Sequence, residues 1–482
     1  MRFALAGLTA LVLVLCGCGG EEPSRPPQPL RDLASAIDAD ALVAHLDHLQ
    51  RAADEHGGNR SAGTPGYDAS ADYVAGALRD RGFDVDTPEF TFDTYDVVAH
   101  RLTVDERELG SDVAEYSPAT PPGGITAPLL ALPDEDGPGC EPEDYDGKSA
   151  RGSIVLIPRG VCPFADKARI AADQGALAVI VANVEDGPIP GATLGEASDG
   201  TIPILVVDNN TGADVAGTTG PVTVLVDASS RAITTRNVIA QTRTGATDNV
   251  VLVGAHLDSV REGPGINDNG SGTAAVLETA LQLGDSPQVT NAVRFAFWGA
   301  EEEGLLGSYE YLDALKPEQR LDIALYLNFD MLGSPNAGHF VYDGDDSEHA
   351  GEPAGPEGSA AIERTLTEYL QSRGFDPRAT DLDGRSDYSG FLNHGIPVGG
   401  TDTGAEENKT EPEVQLWGGT AGQPYDPNYH GPGDTAANVN RDVLTIEAAA
   451  VAEAVAHYAA AIDGPNGVPA RADRERLRGD QA

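Results

Sequence analysis

Val250-Val251-Leu252-Val253-Gly254-Ala255-His256-Leu257-Asp258 is an apolar run that stops at a histidine and an acid. Nothing polar interrupts it before His256, so it reads as a strand buried on both faces of a parallel sheet; a half-exposed strand would alternate. A Gly-rich turn follows, Gly265-Ile266-Asn267-Asp268-Asn269-Gly270-Ser271-Gly272, and then helical spacing over 273–283. A second apolar run, 293–298, ends in Gly299-Ala300-Glu301-Glu302-Glu303-Gly304, and a third, 323–329, ends in Asp330. In open α/β sheets ligands sit outside the carboxyl ends of the strands. His256, Asp268, Glu301, Glu302 and Asp330 are therefore candidates for one site.

Outward from this stretch, strands alternate with helices. Helical spacing covers 33–53 and 70–81, with a turn at 59–66, and 83–85 and 89–92 alternate like strands. Downstream, 308–315 and 360–373 read as helices, and Gly384-Arg385-Ser386-Asp387-Tyr388 opens another. The segment 400–435 reads as a loop, and 443–462 as an Ala-rich closing helix. The fold class is α/β, a mixed and mostly parallel sheet flanked by helices. From 117 to 229 the composition shifts to Pro, Gly and short strands. Arg159-Gly160-Val161-Cys162-Pro163-Phe164 and the strand Gly175 to Asn183 closely resemble the protease-associated domain, a small β-rich insert. In that reading Arg159 and Cys162 hold a turn.

Arg2 and the apolar run 4–15 look like a secretory signal, too short for a spanning helix. Leu15-Cys16-Gly17-Cys18 resembles a bacterial lipoprotein box, with lipid on Cys18; an ordinary cleaved signal is the alternative. The resulting division is a signal over 1–18, a Pro-rich tether over 19–30, the main α/β domain over 31–116 and 230–463, the insert over 117–229, and a disordered charged tail over 464–482. The protein is expected to be exported, either held outside the cell membrane by its lipid or released. Net charge is −46, which repels nucleic acid and anionic membranes and leaves the lipid as the only membrane contact. A monomer is expected. Outside the signal only Cys140 and Cys162 remain, and in an exported protein such a pair reads as a disulfide, worth about 3 kcal/mol.

Carboxylates at this density repel one another unless a cation neutralises them. Zinc takes about four ligands, and hydrolytic sites leave one position for water, so His, Asp and Glu with a further His suit two zinc ions. Of adjacent acids, one can bind metal while its neighbour takes a proton. Singly, each of these acids is more often a helix cap or a solvated turn residue than a ligand. It is the joint pattern at separate strand ends that turns do not require.

His-x-Asp after a strand, Asn-Asp-Asn-Gly-Ser-Gly, Gly-Ala-Glu-Glu, Asn-Phe-Asp-Met and Tyr-His before the last helix occur in this order. Together they resemble the secreted double-zinc aminopeptidases and the related vacuolar aminopeptidase Y, whose members often carry an inserted protease-associated domain. The resemblance runs from about Asn59 to about Asp434 and implies a zinc exopeptidase fold, two zinc ions bridged by a water, and peptide substrates with a free amino terminus. It implies His256 and Asp330 on one zinc, Glu302 and His430 on the other, and Asp268 bridging. Glu301 would be the general base, Asp258 would orient His256, and Tyr429 would donate to the oxyanion. Arg385 falls in the substrate-contacting loop.

Two departures stand out. Relatives often flank the Tyr-His pair with disulfide-forming cysteines, where this chain has Asn428 and Gly433, so the loop carrying His430 is expected to be looser. Thr401-Asp402 replace a Leu-Phe pair, putting an acid where an aromatic lines the side-chain pocket; Asp402 then favours Lys or Arg as first residue, unless it simply faces solvent. Rival readings are a single-zinc glutaminyl cyclase-like enzyme, a carboxypeptidase with only Arg385 to offer the substrate carboxylate, and an inactive binding protein.

Overall fold

The computed structural model describes residues 28–29, 32–132, 138–195, 200–349 and 354–479. The signal, Cys18 and most of the tether lie outside the described residues; Gln28–Pro29 pairs with Pro287–Gln288.

An eight-stranded sheet organises the chain. Its centre is four parallel strands in the order Asn291–Trp298, Ala246–His256, Ile323–Phe329, Val398–Asp402. Val238–Gln241 and Asp84–Asp86 extend one side antiparallel. Phe340–Tyr342 extends the other antiparallel, and Arg378–Thr380 runs parallel beyond it. The apolar stretches of three central strands are buried on both faces, as such runs require, with Arg294 half-buried among them and Asn328 buried near the end of the third. One face packs on the helices Ala39–Glu55, Pro65–Asp80, Gly270–Leu283, Ser359–Ser372 and Arg441–Ala460. The other is filled largely by aromatics, Trp298, Tyr326, Tyr388 and Phe391, under the helices Leu306–Ala314 and Tyr388–Asn393.

The segment read as a loop over 400–435 carries regular structure at its start and middle. Val398–Asp402 is the fourth parallel strand, and Glu411–Trp417 is a helix. A Cβ on Gly400 would lie 1.8 Å from the Asn328 carbonyl oxygen, so the glycine serves close strand approach.

The insert is two sheets. A four-stranded one is built on the antiparallel pair of Glu89–Val104 with Val222–Arg236, and a five-stranded one runs Asp112–Val113, Ile204–Val207, Ala178–Ala182, Ile154–Pro158, Leu129–Ala131. Asp112–Val113 and Glu89–Val104 lie upstream of the border expected at 117, yet they pair with Ile204–Val207 and Val222–Arg236. Cys140 and Cys162 are bonded. Arg159 Nη1 donates to Asn183 Oδ1 at 3.3 Å, holding the turn that the motif suggests.

The tail expected to be disordered instead forms the helix Arg471–Arg478. Its charge pattern is misleading, because two of its arginines are anchors. Buried Arg474 donates to the carbonyls of Asp248, Leu321 and Pro469 and to Asn249 Oδ1. Arg478 donates to those of Arg320, Ile323 and Ala324. These carbonyls lie around the amino-terminal ends of two central strands.

Candidate active site

Each parallel strand delivers its candidate at its carboxyl end. His256 closes the strand Ala246–His256, Asp330 follows Ile323–Phe329, and Glu301 and Glu302 follow Asn291–Trp298. Asp268 precedes the helix Gly270–Leu283, which Asn269 caps by accepting from Gly272 N–H. His430 arrives from the long loop after Val398–Asp402.

These side chains converge. His256 Nε2 lies 3.2 Å from Asp268 Oδ1 and 3.3 Å from Asp330 Oδ1. His430 Nε2 lies 3.2 Å from Asp268 Oδ2 and 3.1 Å from Glu302 Oε2. Asp268 thus turns one oxygen to each of two nitrogen–carboxylate groups. Glu301 joins His256 and Asp330 in a set whose potential ligand atoms all lie within 4.8 Å of one another. A cleft of about 580 Å³, lined by Asp268, Glu301, Glu302, Met331, Tyr429 and His430 among others, opens over the cluster.

Asp258, fully buried, lies with Oδ1 3.6 Å from His256 Nδ1 and also accepts the backbone N–H groups of Glu301 and Glu302 at 3.2 and 3.3 Å. It ties the first strand end to the acid pair of the second. Tyr429 stacks on His430 with ring centroids 3.9 Å apart. Arg385 is exposed and pairs with Glu406 at 2.9 Å and Glu407 at 3.4 Å, so its charge is already met. Glu303 faces Arg261 at 3.7 Å, away from the cluster.

Burial and like charge set the electrostatics. Burial, then the neighbouring Asp268, pushes the Glu302 carboxyl up to about 7. Burial also holds Glu301 well above the carboxylate range against the pull of His256. Burial pulls His430 down, but its hydrogen bonds to Asp268 and Glu302 prevail and its pKa rises to about 10. Burial pushes Asp268 up, yet hydrogen bonds from both imidazoles hold it well below the usual range. Such a set binds protons because it is short of positive charge, and metal cations compete for the same atoms. Asp330 Oδ1, Glu302 Oε1 and His256 Nδ1 are buried with no hydrogen-bond partner. Imidazole and carboxylate donors with no thiolate fit zinc, and the orphaned carboxylate oxygens fit its coordination.

The motifs have visible physical reasons. Asn267 Nδ2 donates to Asp426 and Ser334, and its Oδ1 accepts from Gly333 N–H. Asn269 Nδ2 donates to the Phe329 carbonyl, and its Oδ1 accepts from Met331 N–H. The two asparagines therefore strap the Asp268 turn to the strand end carrying Asp330. A Cβ on Gly272 would lie 2.3 Å from the Phe329 carbonyl oxygen, so only glycine allows this helix to start so close to that strand. Ala300, Met331 and His430, each at or beside a candidate, have φ of 58°, 52° and 53°. Left-handed backbone at such residues costs on the order of 1 kcal/mol each and is typical of sites where surrounding bonds over-determine the chain.

The loop carrying His430, expected to be looser for want of cysteines, is tied by hydrogen bonds instead. Asn428 Nδ2 donates to Asn438 Oδ1 at 2.6 Å, and Asn438 donates to both oxygens of Asp426 at 3.0 Å. Asp434 accepts from the N–H groups of Asn267 and Asp268, binding the loop to the bridging turn. At Gly263 a Cβ would lie 2.1 Å from the Gly431 carbonyl oxygen, so the two loops touch through backbone.

Several residues that support this site escaped the sequence reading. Arg60, in a segment that reads only as a turn, is fully buried and donates to the carbonyls of Leu257, Pro264 and Gly265, bracing the loop between His256 and Asp268. Ser386 donates to Asp330 Oδ2 at 2.7 Å and accepts from Asn328. Asp387, fully buried, is pushed up to about 7 by burial. Nothing in one dimension separates these from capping or surface residues.

Strand ends meeting in a cluster of two histidines and paired acids, on this sheet and beside this insert, define a metallopeptidase scaffold. The chain belongs to peptidase family M28, whose model matches residues 237–455, and the PA-domain model matches residues 125–215. It is 52% identical over 447 residues to the "Probable lipoprotein aminopeptidase LpqL" of Mycobacterium tuberculosis, covering 92% of this chain and 89% of that one. An aminopeptidase of Pseudomonas aeruginosa is 44% identical over 443 residues, 87% of this chain and 81% of its own. Among solved structures, an aminopeptidase from Aneurinibacillus sp. strain AM-1 superposes with a TM-score of 0.66 at 28% identity, covering 89% of this chain and 96% of that one. A zinc aminopeptidase from Bacillus subtilis superposes with a TM-score of 0.57 at 26% identity, over 90% and 98%.

Proposed function

We propose that this protein is an exported aminopeptidase that removes the first residue from peptides using two zinc ions. The observation that carries the reading is Asp268, whose two oxygens face His256 and His430 separately at 3.2 Å each. A carboxylate shared in this way serves two cations better than one. His256 and Asp330 would hold the first zinc, Glu302 and His430 the second, and Asp268 both. Zinc there supplies Lewis acidity, lowering the pKa of water and polarising the scissile carbonyl. Glu301, raised by burial and set in the wall of the cleft, takes the proton of the attacking water and passes it to the departing amine. Tyr429 keeps its proton because burial and the nearby acids push its pKa up, so it can donate to the oxyanion. Asp258 orients His256 and holds the backbone of Glu301 and Glu302. The acid cluster also suits a free amino terminus, which explains trimming of ends over internal cleavage. The name of the Mycobacterium tuberculosis relative supports a lipid anchor, for which Cys18 is the residue.

The test is turnover of aminoacyl-nitroanilides with and without chelator, beside a metal count. Two zinc per chain and chelator-sensitive turnover are expected. Glu301→Gln should keep its zinc and lose about 10²–10⁴ in kcat, the usual worth of a positioned base. One zinc per chain would favour the glutaminyl cyclase-like alternative, and full turnover in Glu301→Gln would refute the assigned base.

A further inference from the structure

A second, smaller pocket opens off the metal cleft. Its lining shares Met331, Arg385 and Tyr429 with that cleft and continues past Asp330 to Tyr342, Tyr388 and Asp402. A substrate whose amino terminus lies at the acid cluster and whose carbonyl lies between Glu301 and Tyr429 has this pocket beside its first side chain.

We infer that this pocket selects peptides beginning with lysine or arginine, with Asp402 reading the side-chain cation. The inference rests on the aminopeptidase reading. Asp402 ends the strand Val398–Asp402, one residue beyond the Thr401–Phe329 pair, which brings it level with Asp330. One of its oxygens accepts from Gly404 N–H at 2.9 Å. Asp402 lines the pocket, and among the described residues no cation pairs with its carboxylate. Burial pushes its carboxyl up to about 7, the mark of a desolvated acid short of a cation.

The rest of the lining fits a long cationic side chain. Tyr342 and Tyr388, with ring centroids 4.8 Å apart, offer apolar surface for the methylene stem. Tyr388 is held by its hydroxyl, which donates to Asp383 Oδ1 at 2.8 Å. Asp381 and Asp383 add negative charge at the wall. Arg385, the one cation in this lining among the described residues, is paired with Glu406 and Glu407 and does not answer Asp402. A leucine side chain would cover the Asp402 carboxylate without giving it a partner, whereas an ammonium or guanidinium supplies a charge-assisted bond.

Lys-, Arg- and Leu-p-nitroanilide are compared on the zinc-loaded full chain. Lys and Arg should exceed Leu in kcat/KM by about tenfold or more, the worth of a hydrogen bond to a charged group. Asp402→Asn should lower that ratio by about 10- to 100-fold, mainly through KM. Asp402→Leu should raise kcat/KM for Leu and reverse the preference. Leu favoured tenfold over Lys by the natural chain, or a ratio that Asp402→Asn leaves within twofold, overturns the inference while leaving the aminopeptidase reading intact. Absence of turnover on every substrate would instead defeat that reading. Calorimetric titration of the zinc-loaded protein with L-lysine and L-leucine then decides the pocket: tighter lysine binding that Asp402→Asn abolishes supports it, and equal or tighter leucine binding overturns it.

Discussion

Replacing Ser386 with alanine tests whether the metal cluster is held from behind by a chain of buried hydrogen bonds. Trp298 Nε1 donates to the Tyr326 hydroxyl at 2.8 Å, and that hydroxyl donates to Asn328 Oδ1 at 2.9 Å. Asn328 Nδ2 donates to Ser386 Oγ at 2.9 Å, and Ser386 Oγ donates to Asp330 Oδ2 at 2.7 Å. Every member before Asp330 is buried. Ser386→Ala removes a bond to a charged acceptor and strands an Asn328 donor, together costing about 2–4 kcal/mol of stability. It also frees the Asp330 carboxylate to rotate away from His256. Loss of such an outer partner lowers metal affinity or activity by about 10–100-fold. Zinc affinity is read by competition with a chromogenic chelator, stability by urea unfolding of the zinc-loaded protein, and turnover on an aminoacyl-nitroanilide at saturating zinc. Ser386→Thr, which keeps the hydroxyl, should recover much of the affinity. A Ser386→Ala protein of lower stability but with zinc affinity within twofold of the natural chain would refute the reasoning and leave the chain of bonds a purely structural feature.

Arg60→Met should be among the most destabilising single changes near the site, about 3–5 kcal/mol by urea unfolding, because it leaves three buried carbonyls without their donor. A loss under about 1 kcal/mol would contradict the bracing role. Truncation after Asp463 removes both anchoring arginines of the last helix and should lower stability by about 2–4 kcal/mol, with kcat unchanged at 25 °C, since those bonds are made around the strand ends opposite the site. Glu363 offers a pH test: burial raises its carboxyl to about 7 in the folded protein from a reference of 4.5. Between those values the folded state holds the extra proton, so this group lowers stability as pH rises through the window and has no such effect below it. Unfolding midpoints of Glu363→Gln and the natural chain should converge near pH 4.5 and diverge toward pH 7, the variant being the more stable; parallel curves would contradict the assignment.

Much of the site's raw material is legible in one dimension. A strand buried on both faces must be continuously apolar, so a histidine or acid that ends such a run announces itself, and His256, Glu301, Glu302 and Asp330 all do. The segment around Asp268 is legible for the opposite reason, since asparagines and glycines in close succession favour a turn or a helix start over a strand, and the helix indeed begins at Gly270 with Asn269 as its cap. The Arg159–Phe164 turn marks the insert in the same local way.

What stays hidden depends on which surfaces meet. Arg60, Ser386 and Asp434 look like turn residues until loops from distant parts of the chain close around them, because burial is a property of the packed chain and not of the segment. Gly400 falls at the start of a segment that reads as a loop and lies in a central strand, since only the neighbouring Asn328 carbonyl reveals why no side chain fits. The tail reads as solvated charge and is an anchor, because its arginines find strand-end carbonyls that no local pattern announces. The sequence alone determined the class of chemistry, through residue types at strand ends. Tertiary structure decided the geometry, in which Asp268 turns one oxygen to each of two histidines and Asp402 lines the pocket beside them: the spacing of side chains from separate segments is set by how the sheet and its loops pack.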